Sequence, residues 1–196
     1  MSKTIYLVRH CYYANPQNIL PGRLPIMLSN EGELQAKRLR NHFAEKNIQN
    51  IWSSAVLRCK QTAETISDST IPITFDQRLL ETFSPYQGFW FDGPLGWDHF
   101  YLHRPELGGE NYDDIRNRVT AFWNEIIISA EEEQIIICSH GDPLYLLYTT
   151  LTNRPLPNEL EEAGEHGNPL YQGKGSIREV KISGTETIVS EEWNTV

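Results

Sequence analysis

Three short apolar runs punctuate the chain: TIYLV at 4–8, NIWSS at 50–54 and QIIICS at 134–139. Each is rich in branched or aromatic side chains and is bounded by polar segments. Hydrophobicity that is continuous over so short a run, rather than alternating, predicts strands covered on both faces, as in a parallel sheet. A different period follows each run. Behind Ser29, a candidate N-cap, Ala36, Leu39 and Phe43 fall on one helical stripe. Behind Ser54, the residues Cys59, Thr62, Ala63 and Ile66 keep the same spacing. Ile115, Val119, Phe122, Trp123 and Ile126 form the cleanest amphipathic stripe, and packing onto a core is its expected role. DPLYLLYTTL at 142–151 opens with an acid and then Pro143, both favoured in the first turn of a helix. SIREVKISGTETIV at 176–189 predicts a closing hairpin that turns near Ser183 and Gly184.

Strands alternating with helices imply an α/β fold with a mostly parallel sheet. With 196 residues, the chain is expected to form one domain over 1–196, large enough to bury a core without disulfides or metal. Two segments fit this plan poorly. Residues 153–175 are polar and turn-rich, and 83–111 is crowded with aromatics, glycine and proline. Segments this long without regular structure usually cover or bind something. The 83–111 stretch is therefore read as a substrate-covering insertion. Its aromatics, from Phe83, Tyr86, Phe89 and Trp90 out to Tyr101, either wall a pocket or anchor the segment on the domain.

Composition narrows the function. Apolar residues at 39% and charged residues at 22% describe a globular chain. No stretch reaches the length of a membrane span, and no secretory signal is expected, because MSKTIYLVRH enters the first predicted strand within a few residues. The odd count of 3 cysteines argues against a disulfide scaffold and for a reducing, cytoplasmic setting. A net charge of −9 argues against general nucleic-acid binding, which needs a clustered basic face. An anionic small molecule stays open, because a few arginines focused in one cleft outweigh a diffuse negative surface.

The candidate chemistry sits where the predicted strands end. The first ends in Arg9 and His10; the second ends in Ser53 and Ser54, with Arg58 one turn into the next helix; the third ends in Ser139 and His140. In open α/β sheets, ligands bind in the crevice beyond the carboxyl ends of the strands. If these strands are neighbours, two arginines and two histidines converge there, and helix N-termini add backbone donors. Such a set suits a phosphoryl group, whose oxygens accept paired bonds from guanidinium. A histidine in the right tautomer can attack phosphorus, splitting a slow hydrolysis into two easier displacements. Fixed cations then take the place of a metal ion. An alkoxide leaving group still needs a proton, and Asp76, Glu81, Asp92, Glu110 and Asp142 are the acids at hand. His10, Cys11, Cys138 and His140 lack the paired spacing of a structural zinc site, and neighbours on an extended chain point apart. No metal and no cofactor are expected.

Taken in order, LVRHC, GRLPIMLSNEGELQAKRL, SSAVLRCKQTAE, LLE, GGENYDDIRNRV and ICSHGDPL resemble the histidine phosphatase superfamily, the phosphoglycerate mutase-like proteins, over nearly the whole chain. The resemblance implies a three-layer α/β/α sandwich. It implies His10 as the nucleophile that becomes a phosphohistidine, with Arg9, Arg58 and His140 holding the transferring group. Glu81 would be the general acid, with Asp142 its strongest rival. Asn15 and Gly22 would lie against the phosphate, Asn15 falling one place early relative to the mutase-type pattern. The implied activity is a metal-independent phosphatase acting on a small phosphomonoester. The alternatives are a phosphomutase and a catalytically silent phosphate-binding module; the chain's length is closer to the compact phosphatases. Two departures stand beside the nucleophile. Cys11 replaces the family's glycine and is expected to pack, and Tyr12 and Tyr13 replace polar residues, which bears on substrate contacts more than on phosphate contacts.

Overall fold

The computed structural model describes residues 2–90, 108–155 and 168–196. Strands β1 (Ser2–Arg9), β2 (Asn50–Ser53), β3 (Ile73–Phe75) and β4 (Gln134–Ser139) run parallel in the order β3-β2-β4-β1. Strand β5 (Ser176–Ser183) joins β1 antiparallel, and β6 (Glu186–Val189) and β7 (Asn194–Thr195) both pair antiparallel with β5. The closing hairpin turns where expected, with Ser183 opposite Glu186 and Gly184 at φ +60°. Strand β3 has no counterpart in the sequence reading: it is three residues long and only half-covered, so it shows no apolar run.

Helices α1 (Asn30–Phe43) and α2 (Leu57–Ser67) cover one face of the sheet, and α3 (Tyr112–Phe122) and α4 (Gly141–Leu151) cover the other. Alternate residues of β1 and β4 divide between the two layers. Tyr6, Val8, Ile136 and Cys138 pack with α1 and α2, while Ile5, Leu7, Ile135 and Ile137 pack with α3 and α4. Both faces are dry, which is why these strands read as unbroken apolar runs. The result is the three-layer sandwich.

Ser29 caps α1 by accepting from the Gly32 amide at 3.1 Å. After α3 the chain winds one π-turn over Trp123–Ile127. The wider turn carries the apolar stripe one residue further than an α-helix would, so Ile127 is fully buried and Ile126 is only partly so. Helix α4 is buried on nearly every side, which explains why it carries no charged side chain after the first turn.

The register of the parallel strands decides where their ends lie. Arg9 is opposite Ser139, and Ser53 is opposite Cys138. Beyond the ladder, the His10 amide donates to Ser139 O and the Ser54 amide to Cys138 O, both at 3.0 Å. Residues 10, 54 and 140 are thereby held side by side. The 168–175 segment is pinned beside them by Arg178 of β5. This guanidinium is fully buried, lies 3.9 Å from the centre of the Tyr148 ring, and donates to Leu170 O and Glu191 O at 2.8 and 3.3 Å. Burial lowers its pKa to about 10, so it remains a cation. No helix among the described residues is long and apolar enough to cross a membrane. Most of the expected covering insertion, 91–107, lies outside the described residues.

Candidate active site

Arg58 is the centre of the crevice. It is wholly buried in the first turn of α2, and its guanidinium touches every element around it. Nε donates to His10 Nε2 at 3.1 Å. Nη2 donates to Gly22 O at 2.9 Å and lies 3.0 Å from His140 Nδ1 and 3.5 Å from Glu81 Oε2. Nη1 is buried with no hydrogen-bond partner among the described residues, an unused donor on a fixed cation.

The neighbours of each imidazole set its tautomer. Cys11 O accepts from His10 Nδ1 at 2.8 Å, so the proton of a neutral His10 sits on Nδ1 and the lone pair on Nε2. His140 has the opposite arrangement. Arg58 donates toward its Nδ1, and its Nε2 lies 2.8 Å from Ser54 Oγ, which accepts the remaining proton. Both rings are buried and stand beside cations. Burial first, then Arg58, holds each imidazole well below its usual range, with Arg9 adding to both. The backbone carbonyl on His10 Nδ1 opposes this only in part. The two ring centres are 5.1 Å apart, edge to face.

Glu81 follows a short 3₁₀ turn at Gln77–Leu79 and brings a carboxyl to the same point, with Oε2 3.5 Å from His140 Nδ1. Burial, and then the charge of Asp142, push its pKa up to about 7, against the opposing pull of Arg58, the Thr82 amide and Arg9. Its main chain is clamped: Arg23 Nε and Arg118 Nη2 donate to Glu81 O at 2.8 and 3.4 Å. Both arginines also bind the Glu110 carboxylate.

The rival acids have other work. Asp76 is tied to Arg78, and Glu110 to Arg23, Arg118 and the Phe83 amide. Asp142 accepts from Thr82 Oγ1 at 2.6 Å and from the Tyr171 hydroxyl at 2.7 Å. Asp92 lies outside the described residues. Arg9 is buried beside the cluster, with Nη1 donating to Gln172 O at 2.7 Å and its guanidinium carbon 5.2 Å from the centre of the Tyr171 ring.

Two of the residues matched to the phosphate loop are placed differently from the rest. The Asn15 amide closes its own loop, donating to Ile19 O and accepting from the Ile19 amide. Gly22, at φ +42°, offers its carbonyl to Arg58, and a Cβ there would collide with Gln87 at 2.7 Å. Neither α2 nor α4 has a side-chain cap, whereas α1 and α3 do. Of the expected aromatic wall, Phe83, Phe89 and Trp90 are exposed, and Phe91, Trp97, Phe100 and Tyr101 lie outside the described residues. Among the described residues Tyr13 reaches the site, its ring 5.5 Å from that of His10 and 5.3 Å from the Arg58 guanidinium carbon. Sequence reasoning treated Tyr13 only as a departure from a pattern and missed Tyr171, Gln172 and the Arg23–Glu110–Arg118 clamp.

His10, Glu81 and His140 each present a ligand atom within 4.8 Å of the others, a donor set that could hold a divalent cation. The Arg58 guanidinium already stands among them at 3.0 to 3.5 Å. The four-residue zinc set weighed from the sequence does not assemble: Cys11 and Cys138 are buried in the apolar layer with Val8 and Ala36.

The chain matches a family model described as the histidine phosphatase superfamily, branch 1, over residues 5–168. It is 32% identical to a protein of Hydrogenobacter thermophilus named putative phosphoserine phosphatase 2, across 88% of this chain and 96% of that one. A Salmonella paratyphi A protein named probable phosphoglycerate mutase GpmB is 28% identical over 77% of this chain and 75% of its own. Among solved structures, Bacillus stearothermophilus YhfR superposes with a TM-score of 0.82 at 25% identity, covering 96% of this chain and 95% of that chain. A mycobacterial glucosyl-3-phosphoglycerate phosphatase shares the fold, with a TM-score of 0.74 at 22% identity over 92% and 91% of the two chains. With sequence blocks, topology and crevice in agreement, this chain belongs to the histidine phosphatase superfamily.

Proposed function

We propose that this chain is a metal-independent phosphatase that hydrolyses a small phosphomonoester through a phosphohistidine formed on His10 Nε2. The observation that carries the reading is the pairing at His10: Cys11 O takes the Nδ1 proton while Arg58 Nε–H points at the Nε2 lone pair. A neutral, oriented nucleophile is thus held against the cation that its target needs. When a phosphoryl group enters, Arg58 Nε–H turns from the lone pair to a phosphoryl oxygen, and Nε2 is freed for attack. In this reading Arg9 and the unused Arg58 Nη1 share the remaining negative charge, and His140 joins them when its Nε2–H turns from Ser54 Oγ to a phosphoryl oxygen.

In the first displacement the Nε2 lone pair forms the N–P bond as the P–O bond to the leaving group breaks. Glu81, protonated below about pH 7, gives its proton to the departing oxygen. In the second, the Glu81 carboxylate takes a proton from water, the hydroxide oxygen bonds to phosphorus, and the N–P electron pair returns to Nε2. Inorganic phosphate leaves, and Glu81 again carries its proton. Arg58 supplies fixed charge where a metal would otherwise sit, and a divalent cation among His10, Glu81 and His140 would face that guanidinium at close range. The buried free thiols Cys11, Cys59 and Cys138 fit a reducing, cytoplasmic setting. The similarity to a protein named putative phosphoserine phosphatase 2 makes O-phosphoserine the first substrate to try.

The test is to quench turnover of phosphorus-labelled substrate. The expected result is label on the protein, stable to base and lost in acid, as for a phosphoramidate. The label should be absent in His10→Ala, and phosphate release should fall on the order of ten-thousand-fold in that variant. EDTA should leave the native rate intact. Undiminished activity in His10→Ala, or inactivation by chelator, would overturn the mechanism.

A further inference from the structure

Glu81 has a mount of its own behind the phosphoryl site. Its Oε1 accepts from the Thr82 amide at 2.9 Å, while Oε2 faces Arg58 and His140, each 3.5 Å away. Where that carboxyl sits is therefore set by the main chain at 81–83. The Glu81 carbonyl accepts from Arg23 Nε at 2.8 Å and from Arg118 Nη2 at 3.4 Å. Arg23 follows Gly22, whose own carbonyl accepts from Arg58 Nη2 at 2.9 Å, so Glu81 and the central cation are tied to neighbouring residues of one loop. Arg118 belongs to α3 and also donates to Arg78 O at 2.6 Å, three residues before Glu81.

Two guanidiniums on one carbonyl repel each other unless an anion lies between them. Glu110 is that anion. Its Oε2 accepts from Arg23 Nη2 at 2.8 Å and from Arg118 Nη2 at 3.1 Å, and its Oε1 accepts from Arg118 Nε at 2.8 Å, a paired fork. Glu110 also grips Phe83 twice: Oε2 accepts from the Phe83 amide, and the Glu110 amide donates to Phe83 O, both at 2.8 Å. Gly109 allows the approach, since a Cβ there, at φ +106°, would meet Pro85 Cδ at 2.8 Å. The Glu110 side chain is only 18% exposed, so solvent ions screen this cluster little.

We propose that Glu110 is a positioning residue: through Arg23 and Arg118 it fixes the Glu81 main chain, and so holds the Glu81 carboxyl where it can protonate the leaving oxygen. The inference rests on the phosphatase reading above, with Glu81 as its acid. Without the Glu110 charge, Arg23 and Arg118 part, Glu81 O loses its donors, and the carboxyl drifts from its place beside His140. A misplacement of about 1 Å in a reacting group is enough to slow a reaction on the order of a hundredfold. The proposed nucleophile is spared, because His10 is held by Cys11 O and Arg58, neither of which bonds to Glu110.

Two substrates separate this role from a general structural one: an alkyl phosphate that the native enzyme turns over, O-phosphoserine first, and p-nitrophenyl phosphate. Glu110→Gln keeps the shape and removes the charge. It should lower kcat/KM on the alkyl phosphate by about thirtyfold or more. The loss on p-nitrophenyl phosphate should be no more than about threefold, since nitrophenolate leaves without a proton. In a Glu81→Gln background, Glu110→Gln should add almost nothing to the loss on the alkyl phosphate, because the acid it positions is gone. Arg23→Met, at a half-buried loop position, should repeat the selective loss at smaller size, and it decides the matter if Glu110→Gln does not fold. An unchanged rate, equal losses on the two substrates, or losses that multiply in the double variant overturn the positioning role. A Glu81→Gln enzyme with no selective loss of its own would strike the acid itself and the clamp with it. Hydrolysis that does not depend on His10 would instead strike the phosphatase reading.

Discussion

Two sets of reactive side chains lie next to each other beyond β1, β2 and β4, buried to the same degree and chemically opposite. His10, His140 and Arg58 face the crevice; Cys11, Cys59 and Cys138 fill the layer beneath α1 and α2. They touch, since Cys59 Sγ is 3.4 Å from His140 Nε2. Burial disfavours whichever form carries charge. For an imidazole that form is the protonated one, so burial exposes a lone pair and makes a nucleophile. For a thiol it is the thiolate, so burial keeps the proton on and makes filler: Cys11 is pushed up to about 12, mainly by desolvation. Glu81 is the third case, a carboxyl that keeps its proton to about pH 7 and so can act as an acid. In the proposed mechanism one physical effect thus sorts nucleophile, acid and packing, according to which protonation state each chemistry needs.

After the loss of His10 itself, the proposed acid gives the largest expected effect. Glu81→Gln should slow hydrolysis of alkyl phosphates by roughly 10²- to 10⁴-fold, because an alkoxide cannot leave without a proton. The loss on p-nitrophenyl phosphate should be far smaller, since nitrophenolate leaves unaided. The pH dependence has a definite sign. In the proposed mechanism Glu81 is competent while protonated, so kcat/KM on alkyl phosphates should fall as pH rises through about 7. The p-nitrophenyl profile should lack that limb. His10, held well below the usual imidazole range, stays neutral across the same interval and adds no limb there. Equal losses on both substrates in Glu81→Gln would mean that the proton comes from elsewhere.

A smaller effect tests why Glu81 holds its proton. After burial, the charge of Asp142 is the main cause of the raised pKa, and Asp142 is fixed there by Thr82 and Tyr171. Asp142→Asn keeps the shape and removes the charge. The Glu81 pKa should then fall, and the alkaline limb on alkyl phosphates should move to lower pH by up to about one unit. A limb that stays put in stopped-assay profiles would leave burial alone as the cause.

How much of this was legible in the sequence depends on the range of each interaction. The strands β1, β2 and β4 were readable because both faces are covered, and Arg9, His10, Arg58 and His140 because polar residues at the ends of such strands have few other reasons to be there. Glu81 in RLLET has no local mark. It came only through the resemblance, and the charge that raises its pKa comes from Asp142, on α4 across the crevice. Asn15 came to the phosphate loop only through the resemblance, one place early in the pattern, and its amide bonds with Ile19. Strand β3, the π-turn and the Gln35 link between Tyr12 and Lys174 rest on tertiary contacts alone. No window of sequence contains them.

The smallest expected effect tests the comparison from its inert side. Cys11 adjoins His10, the proposed nucleophile, and cations stand nearby, a setting that elsewhere activates a thiol. Here the Cys11 side chain is fully buried among Val8, Leu28 and Ala36, and Thr62 Oγ1 receives its amide proton, so the residue is packed and its carbonyl serves His10. With a pKa near 12, its thiolate fraction at pH 7.5 is on the order of one in ten thousand or less. Iodoacetamide at that pH should therefore leave the native enzyme's activity intact, while the unfolded chain takes up label at all three cysteines. Activity lost in step with labelling at Cys11, and protected by phosphate, would show a thiol open to the crevice. The claim that burial silences thiols here while arming imidazoles would then fail at the residue where the two regions meet.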